Sequence, residues 1–322
     1  MSKIGLDLGS FRGAPARPGA APLPRSGGDV GALVHRERRA KEIIAGIDDL
    51  PSLPTVVTHV LRMANDPNTN ACDFESVVRN DQALASRVLK LVNSSFFGLP
   101  KRLSSISQAI VIIGFKTLRS IILAASTTHI LDGQLGRYGI EPGGLWRHSV
   151  GAAALARFFA LRLGLGAEKA EELFVAGLLH DMGKIALAPH LEKIDGNLRG
   201  RTAEKEGDLV AAEEDLVGIS HAAAGAIMAE KWNLATNLVD WIRRHHDPIE
   251  DGEGKERLVL RLADDGCNRR GLGLSDDFPH RADRYEEMIE TAGLAGNDEE
   301  IEGSVVKALE NLDSVLRAVE GV

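Results

Sequence analysis

The second half of the chain sets out seven residues with the chemistry of metal ligands: His148, the adjacent pair His180-Asp181, His221, the adjacent pair His245-His246, and Asp264. Imidazole nitrogen mixed with carboxylate oxygen suits divalent iron, manganese or zinc, whereas a site for calcium or magnesium alone would be built from oxygen. One or two such ions could bring the pKa of a bound water toward neutrality and make it a nucleophile for a phosphate ester. Lys184 closes the run His180-Asp181-Met182-Gly183-Lys184 and could offset the negative charge that develops in such a reaction. It could equally stabilise the carbonyl end of a helix.

Each of these residues lies at or near the end of a segment with helical periodicity. His148 begins a stripe continued by Ala152, Leu155 and Phe159, which turns its ring inward. Leu173, Phe174, Gly177 and Leu178 lead into His180-Asp181, and Gly183 is expected to end that helix. Ser220 is placed to cap a helix on which His221, Gly225, Met228 and Trp232 share a face. Leu238, Trp241 and Ile242 precede His245-His246, and Asp247-Pro248 stops that helix. Asp264 follows Leu260 on another inward face. Singly each is weak evidence, because an inward histidine is commonly a hydrogen-bonded core residue and the chain has ten histidines. Together they are stronger, since burying so many titratable groups destabilises a fold unless they compensate one another or hold a cation. Two readings stay open: a metal centre, and a hydrogen-bonded polar network without an ion.

The elements that must position these residues read as all-α, with abundant Ala and Leu, 4% aromatic residues and no sustained strand-like alternation. Residues 1–35, rich in Gly, Ala and Pro, are expected to form a disordered tail. A first helical block spans 36–140. In it Pro54 opens a helix with Val57, Val60, Leu61 and Ala64 that Asp66-Pro67 closes. Leu84, Val88, Leu91 and Val92 form a second stripe, running into Asn93-Ser94-Ser95. Ser105 and Gln108 have capping-box spacing ahead of Ile110, Val111, Ile113 and Phe115. After the breakers Pro142-Gly143-Gly144, a second block spans 141–272 and holds every candidate ligand. Residues 273–322 read as a helical extension whose stripe, Ile301, Val305, Leu309, Leu312 and Leu316, could dock on the core or on another subunit.

A formal charge of −8 argues against a broad surface that tracks nucleic-acid phosphates. The basic cluster His35-Arg36-Glu37-Arg38-Arg39-Ala40-Lys41 reads as the solvated face of a starting helix. Lys116 and Arg119 interrupt the greasiest run, Ala109–Ser126, before it reaches membrane-spanning length, and no apolar secretory leader is visible. Cys72 and Cys267 suggest no disulfide framework. A cytoplasmic protein without membrane or nucleic-acid partners is the expectation.

The sequence resembles the HDOD family, the regulatory relatives of HD-domain phosphohydrolases, over about residues 45–270. The resemblance rests on Leu50-Pro51-Ser52-Leu53-Pro54, Asn80-Asp81-Gln82-Ala83-Leu84, Arg87-Val88-Leu89, Asn93-Ser94, Phe97-Gly98 and Ser105–Ile110 with Gly114. It continues through Leu145-Trp146-Arg147-His148-Ser149, Ala176–Lys184, His221 with Gly225, Trp232, and His245-His246-Asp247-Pro248. It implies an N-terminal helical subdomain packed on an HD-like one, found in bacterial signalling and without an established common activity. It also implies that His148, His180, Asp181 and Asp264 match the four positions that define the HD superfamily. His221, His245 and His246 resemble the added ligands of the HD-GYP cyclic-di-GMP phosphodiesterases. The segment after His246 reads Asp247-Pro248-Ile249-Glu250-Asp251-Gly252-Glu253-Gly254 and lacks the Gly-Tyr-Pro of those enzymes. The expectation is a non-enzymatic regulator that binds a protein partner or a small anionic ligand. The alternative is a metal-dependent phosphohydrolase.

Overall fold

Local signals start and stop the helices much as side-chain chemistry dictates. In the computed structural model, the described residues are 27–47, 81–93, 101–131, 135–194, 197–249, 253–272 and 284–294, with single positions between 59 and 99 and between 299 and 306. The chain divides into two units, Met1–His35 and Arg36–Val322. The first described helix, α1, runs Gly27–Ile47, so helix begins inside the stretch expected to be tail. Residues 1–26, the helix expected after Pro54, the Leu50–Pro54 and Phe97-Gly98 motifs, and the stripe at Leu309, Leu312 and Leu316 lie outside the described residues.

Asp81 caps α2 (Gln82–Val92) by accepting the Leu84 N–H at 2.9 Å. At its other end Asn93 donates from Nδ2 to the carbonyls of Leu89 and Leu103, both 2.8 Å, and accepts the Leu103 N–H at 2.7 Å. One amide thus ties the end of α2 to the lead-in of α3 (Ile106–Leu131). Ser105 caps α3 through the Gln108 N–H, but the Gln108 side chain reaches back to the Ser104 N–H instead of that of Ser105. Gly114, at φ 79° and ψ 165°, breaks α3 into two arms. The 22 residues Ile106–Thr127 are long and apolar enough to cross a bilayer, with 56% of that stretch buried. Lys116 and Arg119 interrupt its apolar run without shortening the helix.

The centre of the second unit is a pair, α4 (Gly144–Arg162) and α5 (Gly166–Leu179), with α11 (Lys255–Asn268) laid against both. Gly177 makes the α4–α5 crossing close: a Cβ there would stand 2.8 Å from backbone atoms of Ala152 and Ala153. Trp146, Phe159, Leu155 and Leu173 fill the interior around it. The chain then forms α6 (Gly183–Lys193), α7 (Leu198–Glu204), α8 (Leu209–Val217), α9 (His221–Lys231) and α10 (Thr236–Arg244). Helix α9 packs on α6 and α10, and α10 packs on α5 and α11. Among the described residues there is no strand, only an isolated bridge between Leu135 and Ile140. Helix α12 (Arg284–Thr291) docks on α11, where Arg269 lies over the Tyr285 ring at 4.9 Å and pairs with Glu286.

Two local expectations change. Gly183 does not end a helix: His180 and Met182 both keep right-handed helical angles and Gly183 is the first residue of α6. The glycine is there for space, because a Cβ would stand 1.9 Å from the His221 carbonyl oxygen. The basic cluster is also not merely solvated. Arg36 pairs with Asp215 at 2.6 Å and Arg39 donates to the Leu216 carbonyl at 2.7 Å, so this face of α1 grips the end of α8.

Candidate metal centre

The structure brings all seven candidate ligands together. His148 comes from the first turns of α4, His180 from the end of α5, and Asp181 from the link to α6. His221 opens α9 behind its Ser220 cap, His245 and His246 follow α10, and Asp264 comes from α11. Six of them are buried to 4% exposure or less, and His246 is half-buried.

Asp181 stands between two groups of donors. Its Oδ2 lies 3.4 Å from His148 Nε2 and 3.5 Å from His180 Nε2, and those two nitrogens are 3.2 Å apart. Asp264 Oδ1 completes this half at 3.2 Å from His148 and 3.6 Å from His180. Asp181 Oδ1 faces the other half, 3.2 Å from His221 Nε2 and 4.0 Å from His245 Nε2, with His246 Nε2 3.0 Å from that of His221. Donor atoms around one ion with bonds of roughly 2.1 Å stand about 3–4 Å from one another, which is the spacing seen in each half.

The tautomers decide what these short nitrogen–nitrogen distances mean. Nδ1 of His180 lies 2.8 Å from the Gly177 carbonyl and Nδ1 of His245 2.6 Å from the Ile242 carbonyl. His148 Nδ1 meets the Leu272 carbonyl, and His221 Nδ1 meets the Glu213 carboxylate at 2.7 Å. An oxygen acceptor on Nδ1 fixes the proton there and leaves Nε2 as a bare lone pair aimed at the centre. Lone pairs facing one another repel unless a proton or a cation lies between them. Asp181 Oδ1 and His245 Nε2, both buried, make no hydrogen bond. Each such orphan costs about 1–3 kcal/mol. Both face the His221 half, where one cation would satisfy them, and a second cation would separate the facing nitrogens of His148 and His180 in the other half. The residues therefore fit a metal pair, with Asp181 shared.

Without a cation the same groups can only divide protons. Burial alone would push His221 down, but Glu213 and Asp181 outweigh it and raise it to about 9. Burial, with His180 and His221 nearby, drives His245 down to about 3. Asp181 is held well below the usual carboxylate range: burial opposes this, and Lys184 and the surrounding imidazoles win. Lys184 Nζ sits 2.6 Å from Asp181 Oδ2 and is itself raised, its burial outweighed by Asp181 and Asp264. Its ammonium lies inside the site, not on a helix carbonyl end.

Several residues of the site were not expected from the sequence. Glu213, fully buried on α8, accepts from the His221 N–H and Nδ1 and from the Tyr138 hydroxyl at 2.9 Å. Its place four residues after Leu209 and four before Val217 is the signal that it faces inward. Asn268 holds Asp264 at 2.8 Å. Arg257 and Arg261, both buried, gather the carbonyls that end α10: Arg257 donates to Asp247 and Pro248, and Arg261 to His246 and Asp247.

A profile of the HDOD domain matches residues 50–248. The chain is 28% identical over 224 residues to an uncharacterized protein of Treponema pallidum, a match covering 70% of this chain and 43% of that one. It is 28% identical over 176 residues to ribonuclease Y of Lawsonia intracellularis, covering 55% of this chain and 24% of the relative. The chain thus spans less than half the length of these curated relatives. A crystal structure of an HDOD domain protein from Geobacter sulfurreducens superposes with a TM-score of 0.68 at 26% identity, over 88% of this chain and 99% of that one.

Proposed function

From the premise that this chain belongs to the HDOD domain family, we propose that it is a bacterial signalling protein that acts by binding. Its buried cluster would hold a pair of divalent iron, manganese or zinc ions that set the shape of the domain. The observation that carries this reading is burial: His148, His180, Asp181, His221, His245 and Asp264 are at most 4% exposed. A phosphodiester would have to bring its phosphorus to ions enclosed by those side chains. The partner would be a regulatory protein or a small anionic ligand in the cytoplasm, with nucleic acid disfavoured by the −8 charge. Self-association would use the part of the extension beyond α12, because the apolar face of α12 itself is taken up by α11.

The test is elemental analysis of protein purified without chelators or an affinity metal, paired with turnover of an aryl phosphodiester supplied with manganese or iron. Stoichiometric metal without turnover is expected. Sustained turnover by the loaded protein would replace this reading with the second.

That second reading is a metal-dependent phosphohydrolase, favoured by Lys184 inside the site at 2.6 Å from Asp181 and by the half-buried edge at His246. Bound ions would supply an activated water and Lewis acidity. Lys184 would stabilise anionic charge, and His246 would orient whatever entered at the open edge.

A further inference from the structure

The two halves of the centre are supported unequally. His148, His180 and His245 each place Nδ1 against a neutral backbone carbonyl, those of Leu272, Gly177 and Ile242. His221 alone places Nδ1 against a carboxylate, with the two Glu213 oxygens at 2.9 and 2.7 Å. Glu213 is fully buried and also accepts the His221 backbone N–H at 2.8 Å, so ring and backbone of one residue are fixed by one side chain. Tyr138, itself fully buried, fixes the far oxygen.

A buried carboxylate needs a positive counterpart. Among the described residues no lysine or arginine pairs with Glu213; its ionic partner is His221. Lys184 acts on Glu213 only through space, so the counterpart in direct contact is the His221 ring. An ion on its Nε2 side, where His246 and Asp181 Oδ1 converge, would stand across that ring from the carboxylate. A carboxylate behind a ligating histidine orients the ring and strengthens its donor nitrogen more than a carbonyl does.

Resting on the metal-pair reading above, we infer that Glu213, steadied by Tyr138, is a positioning residue that specifically sustains ion binding in the His221–His245–His246 half of the centre. The half formed by His148, His180 and Asp264 does not depend on it.

Cobalt(II) titration of the full chain, followed by visible absorbance, tests this. The wild type is expected to take up two equivalents, and His246→Ala identifies which binding phase belongs to the three-imidazole half. Glu213→Gln should weaken that same phase by about 10- to 100-fold and leave the other within about twofold. If both phases are unchanged, or weaken alike, Glu213 has only a general structural role and the inference fails. A wild type that binds no cobalt sinks the metal-pair reading, and this inference with it. Tyr138→Phe provides a second measurement should Glu213→Gln not fold. Removing the hydroxyl frees the carboxylate that Tyr138 steadies, so the same phase should weaken by a few fold and the other should stay unchanged. An unchanged phase in that variant, or both phases weakening alike, contradicts the assignment.

Discussion

Gly183 touches His221 backbone to backbone: a Cβ on the glycine would stand 1.9 Å from the His221 carbonyl oxygen and 2.6 Å from the Gly225 nitrogen. That approach of α6 to α9 sets His221 Nε2 3.2 Å from Asp181. Gly183→Ala has no flexible neighbour to displace, so the helices themselves must separate. The expected cost is about 3 kcal/mol, with weakened metal binding in the His221 half. A variant that melts with the wild type and keeps its metal would show that the contact is dispensable.

Asp181 offers one oxygen to each half of the centre. Asp181→Asn should therefore lower affinity in both halves, each by at least about tenfold because a charged ligand is lost from a buried site. His148→Ala should affect only the half that contains it. Metal content after exhaustive dialysis separates the two patterns, and loss from a single half in Asp181→Asn would show that the carboxylate is not shared.

Metal uptake should be linked to protons at His221. Its pKa in the metal-free fold, about 9, lies above the unfolded value of roughly 6.5. The stability it contributes to metal-free protein is fully present below about pH 6.5 and is lost as pH rises through about 9. Metal affinity moves the other way, because an incoming ion must displace that proton. Calorimetry at about pH 7.5 in buffers of different ionisation enthalpy should register close to one proton released as that half fills. Heats that do not depend on the buffer would exclude the linkage.

Arg257 closes the turn that carries His245-His246. Buried to 4% exposure, it donates to the carbonyls of Asp247 at 3.1 Å and Pro248 at 2.9 Å and pairs with Glu253. Arg257→Met leaves those carbonyls without their donor and should cost about 2–4 kcal/mol. Arg257→Lys should recover little, since a single ammonium cannot span the same acceptors. Urea unfolding of the metal-free proteins measures both, and a methionine variant as stable as the wild type would contradict this role.

The sequence made the inward histidines legible because helical periodicity is a strong signal: His148, Ala152, Leu155 and Phe159 are all buried on one face of α4. Ser220 was legible because a cap has its own chemistry, and its hydroxyl does accept the Ala223 N–H. Gly183 misled because glycine serves two purposes, a left-handed backbone or a missing side chain, and only a tertiary contact tells which. Glu213, Arg257 and Arg261 were hidden for a related reason. A lone charged residue in an amphipathic helix reads as its wet face until another helix supplies a partner. The start of α1 was obscured by its glycines, which suggest an unstructured tail by composition.

Helix α5 has a further consequence. Near its beginning, Glu168 pairs with Lys116, and buried Glu171 accepts from Thr117 at 3.1 Å and Arg157 at 2.8 Å. Its last turn ends at His180. Fourteen helical residues make a strut about 21 Å long. A tilt imposed on α3 would bear on the tip that holds Glu168 and Glu171, and a rigid strut would carry it to His180 and its neighbours at the other.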